Sequence, residues 1–131
     1  MTTLADYLII RDNPFEIGTG NLTQPSAFDF ELPSDYVKGT NVAKPILQFI
    51  VRGILDDDYF FQIGFNDPQQ LQSKSEVRYK FKDVSKSRIF TMHEAIDGSK
   101  LKPGKNRVYF RIIEGKVGFS DVVLWFQRKR N

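Results

Sequence analysis

Glu76-Val77-Arg78-Tyr79-Lys80-Phe81-Lys82 alternates apolar and charged side chains without a break. Successive side chains of a β-strand point to opposite sides of a sheet. This order therefore buries Val77, Tyr79 and Phe81 and leaves Glu76, Arg78, Lys80 and Lys82 in water. A helix would scatter the same residues around its circumference. The period of two then recurs along the chain. Segment 27–32 sets Phe28, Phe30 and Leu32 against Ala27, Asp29 and Glu31. Segment 59–65 places Tyr59, Phe61, Ile63 and Phe65 on one side, and 106–113 sends Val108, Phe110 and Ile112 one way and Arg107, Tyr109 and Arg111 the other.

Segment 46–54 is β-branched and nearly continuous in apolar residues, which predicts a central strand covered on both sides. Segment 117–127 closes the chain as a strand, and 4–10 and 88–91 are weaker strand candidates. The breaks fall where strands should end: Asn66-Asp67-Pro68, Pro103-Gly104 and Glu114-Gly115-Lys116, with Pro25, Pro33 and Pro45 bracketing further segments. One helical turn is expected at 92–97, stopped by Gly98. Seven or eight short strands with at most one short helical turn predict an all-β fold. The expectation is a single antiparallel β-sandwich, jelly-roll-like, spanning residues 1–131 as one domain.

The stretch Leu101-Lys102-Pro103-Gly104-Lys105-Asn106, followed by an alternating strand, a hairpin and the closing strand Phe119–Phe126, resembles the end of galactose-binding-like jelly-roll domains. That resemblance covers the C-terminal third. It implies a β-sandwich of a kind that often binds sugars through loops at one end, and it transfers no ligand residue. The motif's own physics is structural: Pro-Gly turns the chain, Asn106 caps backbone groups where the strand starts, and Leu101 plugs the core.

The 131 residues contain no cysteine and one histidine. A disulfide framework, a thiolate zinc site, an iron–sulfur cluster and a cysteine nucleophile are thereby excluded. No cofactor is expected. No apolar run approaches the roughly 20 residues that span a bilayer, and the first residues lack the basic start and apolar stretch of a signal peptide. A cytoplasmic location, with no membrane partner, is the default. No Gly-x-Ser-x-Gly elbow is present, Gly18-Thr19-Gly20 lacks the helix and lysine of a phosphate loop, and Ser120-Asp121 within a strand should point to opposite faces. These absences predict a protein that is not an enzyme. Asp56-Asp57-Asp58 offers three carboxylates to a hard cation such as Ca²⁺, without the spacing of a calcium loop, so a solvated turn is expected there. Trp125, Phe126 and Tyr109 have rings that can stack on a sugar, but aromatics within strands predict core.

Charge is unevenly distributed. Residues 1–67 carry four basic and ten acidic side chains, a net of −6, and residues 68–131 carry fifteen and six, a net of +9. Acidic and basic strands lying side by side in one fold account for this most simply. Self-association and a polyanion partner remain open. Arg78, Lys80, Lys82, Arg107, Tyr109, Arg111 and the tail Arg128-Lys129-Arg130 are the residues a polyanion would use, and a nucleic-acid partner is not favoured.

With strands alternating in direction, connections 55–58, 83–87 and 114–116 fall at one end of the sandwich. The longer 33–45, 66–75 and 92–105 fall at the other. Long loops over a rigid frame are the usual recognition site. The candidate ligand-binding residues are therefore Tyr36, Asn41, Asn66, Asp67, Gln69 and His93, whose amides, carboxylate and ring suit a carbohydrate or similar polar ligand. The leading expectation is a non-catalytic binding module. The alternative is a structural or assembly protein that packs against copies of itself or a partner.

Overall fold

The computed structural model describes residues 2–18, 25–54, 58–68, 77–82 and 88–130. Nine strands lie in these residues: β1 (Thr3–Arg11), β2 (Phe15–Ile17), β3 (Ser26–Leu32), β4 (Ile46–Gly53), β5 (Tyr59–Phe65), β6 (Val77–Phe81), β7 (Ile89–Ala95), β8 (Gly104–Glu114) and β9 (Val117–Lys129). Sheet A runs β1-β9-β4-β7, with β2 also on β9, and sheet B runs β3-β8-β5-β6; every pairing is antiparallel. From β3 onward each strand lies in the other sheet from its predecessor, apart from β5 and β6. That is the order of a jelly roll.

The strand the sequence did not show is β2. Asp12-Asn13-Pro14 breaks what would be one long edge along β9, since Pro14 has no N–H to donate. Arg11 bridges the break: its Nε donates to the Asn13 carbonyl at 3.1 Å, and its guanidinium lies 5.2 and 4.7 Å from the ring centres of Phe15 and Phe28. Residues 92–95 of the helical turn expected at 92–97 are instead strand, because residues 89–95 pair with β4 along their whole length. The turn comes later, as a 3-10 turn at Gly98–Lys100 capped by Asp97.

The inward residues of the alternating segments meet between the sheets. Phe119 of β9 is the hinge of this core, with rings at 5.0 Å from Phe61 and Phe110, 5.4 Å from Phe15 and 5.7 Å from Phe49. Phe61 and Phe110 belong to sheet B and the others to sheet A, so one ring joins both layers. The expectation that β4 is covered on both sides is corrected: Leu47, Phe49 and Val51 are buried, but Ile46 and Arg52 face water on the outer side. A continuous apolar run does not distinguish a strand buried twice from one with an apolar exposed face.

The charge split resolves inside the fold. Ion pairs join Asp29 to Arg107, Glu16 to Lys116, and both Asp6 and Asp35 to Arg128. Each takes its acid from the first half of the chain and its base from the second, because β3 lies on β8 and both β1 and β2 lie on β9.

Candidate functional site

The described parts of the long connections meet at one end, where they hold one another. The Tyr36 hydroxyl donates to the Gly98 carbonyl at 2.9 Å, and the Lys38 ammonium donates to that of Leu101 at 3.2 Å. The Asn66 amide donates to the Lys100 carbonyl at 2.7 Å. Tyr36 is buried, its ring set edge-on to Phe126. Burial first, and the Asp97 carboxylate second, push its phenol up to about 12. Asn66 sits at φ 63°, and its carbonyl oxygen accepts from the Arg107 N–H at 2.8 Å, so both ends of its amide are used within the loops. Asn41 is exposed in a turn, and Asp67, next to Asn66 in the chain, is half-buried. Gln69 lies outside the described residues, as do Asp56 and Asp57.

His93 is not with the others. It is an exposed residue of β7, on the outer side of sheet A opposite Gln48. The candidates therefore divide into two places, with Tyr36 and Asn66 bonded into the scaffold.

The outer side of sheet A carries a more coherent set. Strand register places Tyr7, Trp125, Ile46 and Ala95 in one row across β1, β9, β4 and β7, and Ile9, Val123, Gln48 and His93 in the next. Tyr7 is 54% and Trp125 41% exposed, with ring centres 5.0 Å apart and planes tilted by 40°. The indole Nε1–H donates to Gln48 Oε1 at 3.1 Å. This bond fixes the indole and uses the acceptor end of the amide, so Gln48 meets anything above it through its NH₂. The expectation that Trp125 is core is corrected, and it holds for neighbouring Phe126, which is buried. Tyr109 is half-buried on the outer side of sheet B.

Farther along the same face, a groove of about 410 Å³ is lined by residues that include Phe15, Glu16, Ile50, Arg52, Ile89 and Ser120. A β-bulge shapes this region. Asp121 has φ 52°, and the β4–β9 register shifts between Gln48 and Ile50. Phe119 and Val122 are both buried, so Ser120 and Asp121 between them lie on the outer side together. The strict alternation that would separate them fails at this point.

Sequence reasoning passes over Tyr7 and Gln48 and assigns Trp125 to the core. Their signal was present in parity. With Val122, Leu124 and Phe126 inward, Trp125 must face out, and with Leu8 and Ile10 inward, so must Tyr7.

Among the described residues no group of three His, Cys, Asp or Glu could hold a metal ion, and no helix is long and apolar enough to cross a membrane.

Neither a protein-family model nor a curated protein matches the sequence. Among solved structures the chain is similar to the xylan-binding module CBM15, with a TM-score of 0.54 and 9% identity over 99% of this chain and 100% of that one. It is also similar to Xylanase10C from Cellvibrio japonicus in complex with xylopentaose, with a TM-score of 0.48 and 11% identity over 95% of this chain and 22% of that one. A structure of infectious bursal disease virus, Gt strain, matches with a TM-score of 0.48 and 7% identity over 96% of this chain and 32% of that one. The shared feature is the fold, a β-sandwich.

Proposed function

We propose that this protein is a non-catalytic carbohydrate-binding module whose ligand lies on the outer face of sheet A. The observation that carries the reading is the exposed Tyr7–Trp125 pair fixed beside Gln48. The C–H edge of a sugar ring is weakly positive and an aromatic face is negative, so such rings make a platform for a pyranose. Gln48 and His93 supply polar groups for hydroxyls at the next row. From Ile46 to Arg52 the face runs about 20 Å along β4, which suits a short stretch of polysaccharide rather than a single ring. The likeness to a module named for xylan binding supports the class of ligand and makes xylan the first to test.

Affinity electrophoresis through gels containing soluble xylan, mixed-linkage β-glucan or galactomannan tests this directly. At least one should retard the protein, and Trp125→Ala and Tyr7→Ala should each relieve the retardation by tenfold or more in affinity. Unretarded wild-type protein, or retardation indifferent to both substitutions, refutes it. A second reading rests on the exposed Ile9, Ile46 and Ile89 of the same face. Apolar surface of this kind also suits a protein partner or a second copy, which sedimentation with and without the glycan separates from sugar binding.

A further inference from the structure

The outer face of sheet B has a different chemistry. Its strand order, β3-β8-β5-β6, sets acidic β3 beside basic β8, and there Asp29 takes Arg107 through two hydrogen bonds of 2.6 and 3.1 Å. Glu31 lies opposite Lys105 in the same pair. Beyond β8, strands β5 and β6 themselves bring no carboxylate to this face. Strand β5, Tyr-Phe-Phe-Gln-Ile-Gly-Phe, carries no charge, and β6 beyond it turns Arg78 and Lys80 outward.

Across neutral β5, Gln62 is registered with Arg78 on one side and Arg111 on the other. Gln62 faces outward yet is only 1% exposed. It lies beneath the flanking arginine stems, and its Oε1 accepts from Arg111 NH1 at 3.3 Å. In the adjacent row the Phe60 ring has the Arg78 guanidinium 4.9 Å from its centre and the Lys80 ammonium 5.8 Å from it. The aromatic and the amide thus hold the cations in place. Glu114 of β8 is registered with Phe60 in this row.

We propose that this face is a second binding surface, for a carboxylated polysaccharide, with Arg78 and Arg111 clamping its carboxylates above Gln62 and Lys80 extending the track. The two arginines stand on strands about 10 Å apart, and Arg78 and Lys80 are about 7 Å apart along β6. Guanidinium forks match carboxylates two bonds at a time, and cations already oriented lose little freedom on binding. Single-stranded nucleic acid fits less well. Base stacking needs bare ring faces, and here Phe60 is covered by its cations. The proposal is independent of sheet A.

Binding of the full chain to polygalacturonate, dextran, dextran sulfate and oligothymidylate, measured by biolayer interferometry, tests it. Polygalacturonate should bind, neutral dextran should not, and affinity should fall as salt rises. The Arg78→Ala/Arg111→Ala variant should lose at least tenfold, and Arg78→Lys/Arg111→Lys, which keeps charge and stems, should lose most of that as well. Trp125→Ala should bind polygalacturonate like wild type even where it no longer binds a neutral glycan. No binding to polygalacturonate overturns the proposal. So does full affinity in the lysine variant, or equal affinity for dextran sulfate in all variants, either of which indicates ion exchange alone. Tighter binding to oligothymidylate than to polygalacturonate overturns it in favour of nucleic acid.

Discussion

Removing the Asn106 amide should loosen the entire long-loop end. Asn106 is 4% exposed at the start of β8. Its Oδ1 accepts from the Lys102 backbone N–H at 3.1 Å and from Asn66 Nδ2 at 3.0 Å. Its Nδ2 donates to the carbonyls of Lys102 at 2.7 Å and Gly104 at 3.0 Å. All four bonding sites of the amide are used, and Asn66 passes the link on to Lys100 and Arg107. A net protein hydrogen bond is worth about 1 kcal/mol, with more lost where a partner stays buried and unpaired. Asn66 is exposed and can turn to water, which discounts one of the four. Asn106→Ala should therefore cost about 3 kcal/mol. A domain this size shifts by roughly 3–5 °C per kcal/mol, so calorimetry should record a Tm lower by about 10 °C, with an unchanged urea m-value. Asn106→Asp keeps the acceptors but sets a carboxylate against the two carbonyls, and should be at least as damaging at pH 7. An alanine variant melting within about 2 °C of wild type would mean that water replaces the amide in full, and the account of this end would fail.

Two glycines with positive φ should respond unequally to alanine. At Gly115 (φ 79°) a Cβ would stand 2.7 Å from the Asp58 carbonyl oxygen, whereas at Gly104 (φ 88°) it meets nothing within 4 Å. Gly104→Ala should cost about 1 kcal/mol of backbone strain and Gly115→Ala clearly more, compared by urea midpoints. In alkali, the folded chain keeps the Tyr36 proton that the unfolded chain releases near pH 10. The resulting stability is complete below pH 10 and should fall by about 2 kcal/mol as pH rises to about 12. Urea titrations of Tyr36→Phe should lack that component of the decline. In acid the sign reverses. Tyr7 N–H and Arg128 hold Asp6 below the usual carboxylate range, Arg107 does the same for Asp29, and the Ser99 N–H and hydroxyl do so for Asp97. Their contribution is present above about pH 4 and is lost as pH falls through the lowered values. Asp29→Asn should flatten the urea midpoint between pH 6 and pH 3.

Sidedness was legible because one face of most strands is core and the other water. Val77, Tyr79 and Phe81 could not be placed otherwise, and the same holds for Val108, Phe110 and Ile112. The role of Asn106 was legible from Pro103-Gly104 beside it. What could not be read had competing local causes. Met92–Asp97 has a helix-compatible composition, and only pairing with β4 settles Met92–Ala95 as strand. Tyr36 has no periodic neighbours to mark it as buried; its isolated bridge to Arg128 does so in three dimensions. Exposed aromatics look like core in one dimension, which is why sequence reasoning places its candidate ligand residues in loops. The bulge at Asp121 leaves no signature in composition, since Asp tolerates left-handed backbone without requiring it.

The two outer faces differ because strand order distributes charge as well as apolar surface. On sheet A, Asp6, Asp35 and Glu16 are paired with Arg128 and Lys116 at the ends of β9, and Arg52 and Asp121 lie on the outer side away from Trp125. The middle rows, around Trp125 and Gln48, are left apolar and aromatic. On sheet B the acidic strand neutralises its neighbour β8 at Arg107, but uncharged β5 separates β8 from β6. A strand spacing of nearly 5 Å per step puts Asp29 and Glu31 too far from Arg78 and Lys80 to pair with them. The net positive charge of the chain is therefore not spread evenly. An anion arriving at β6 meets Arg78 and Lys80, which β8 and β5 separate from the acids of β3.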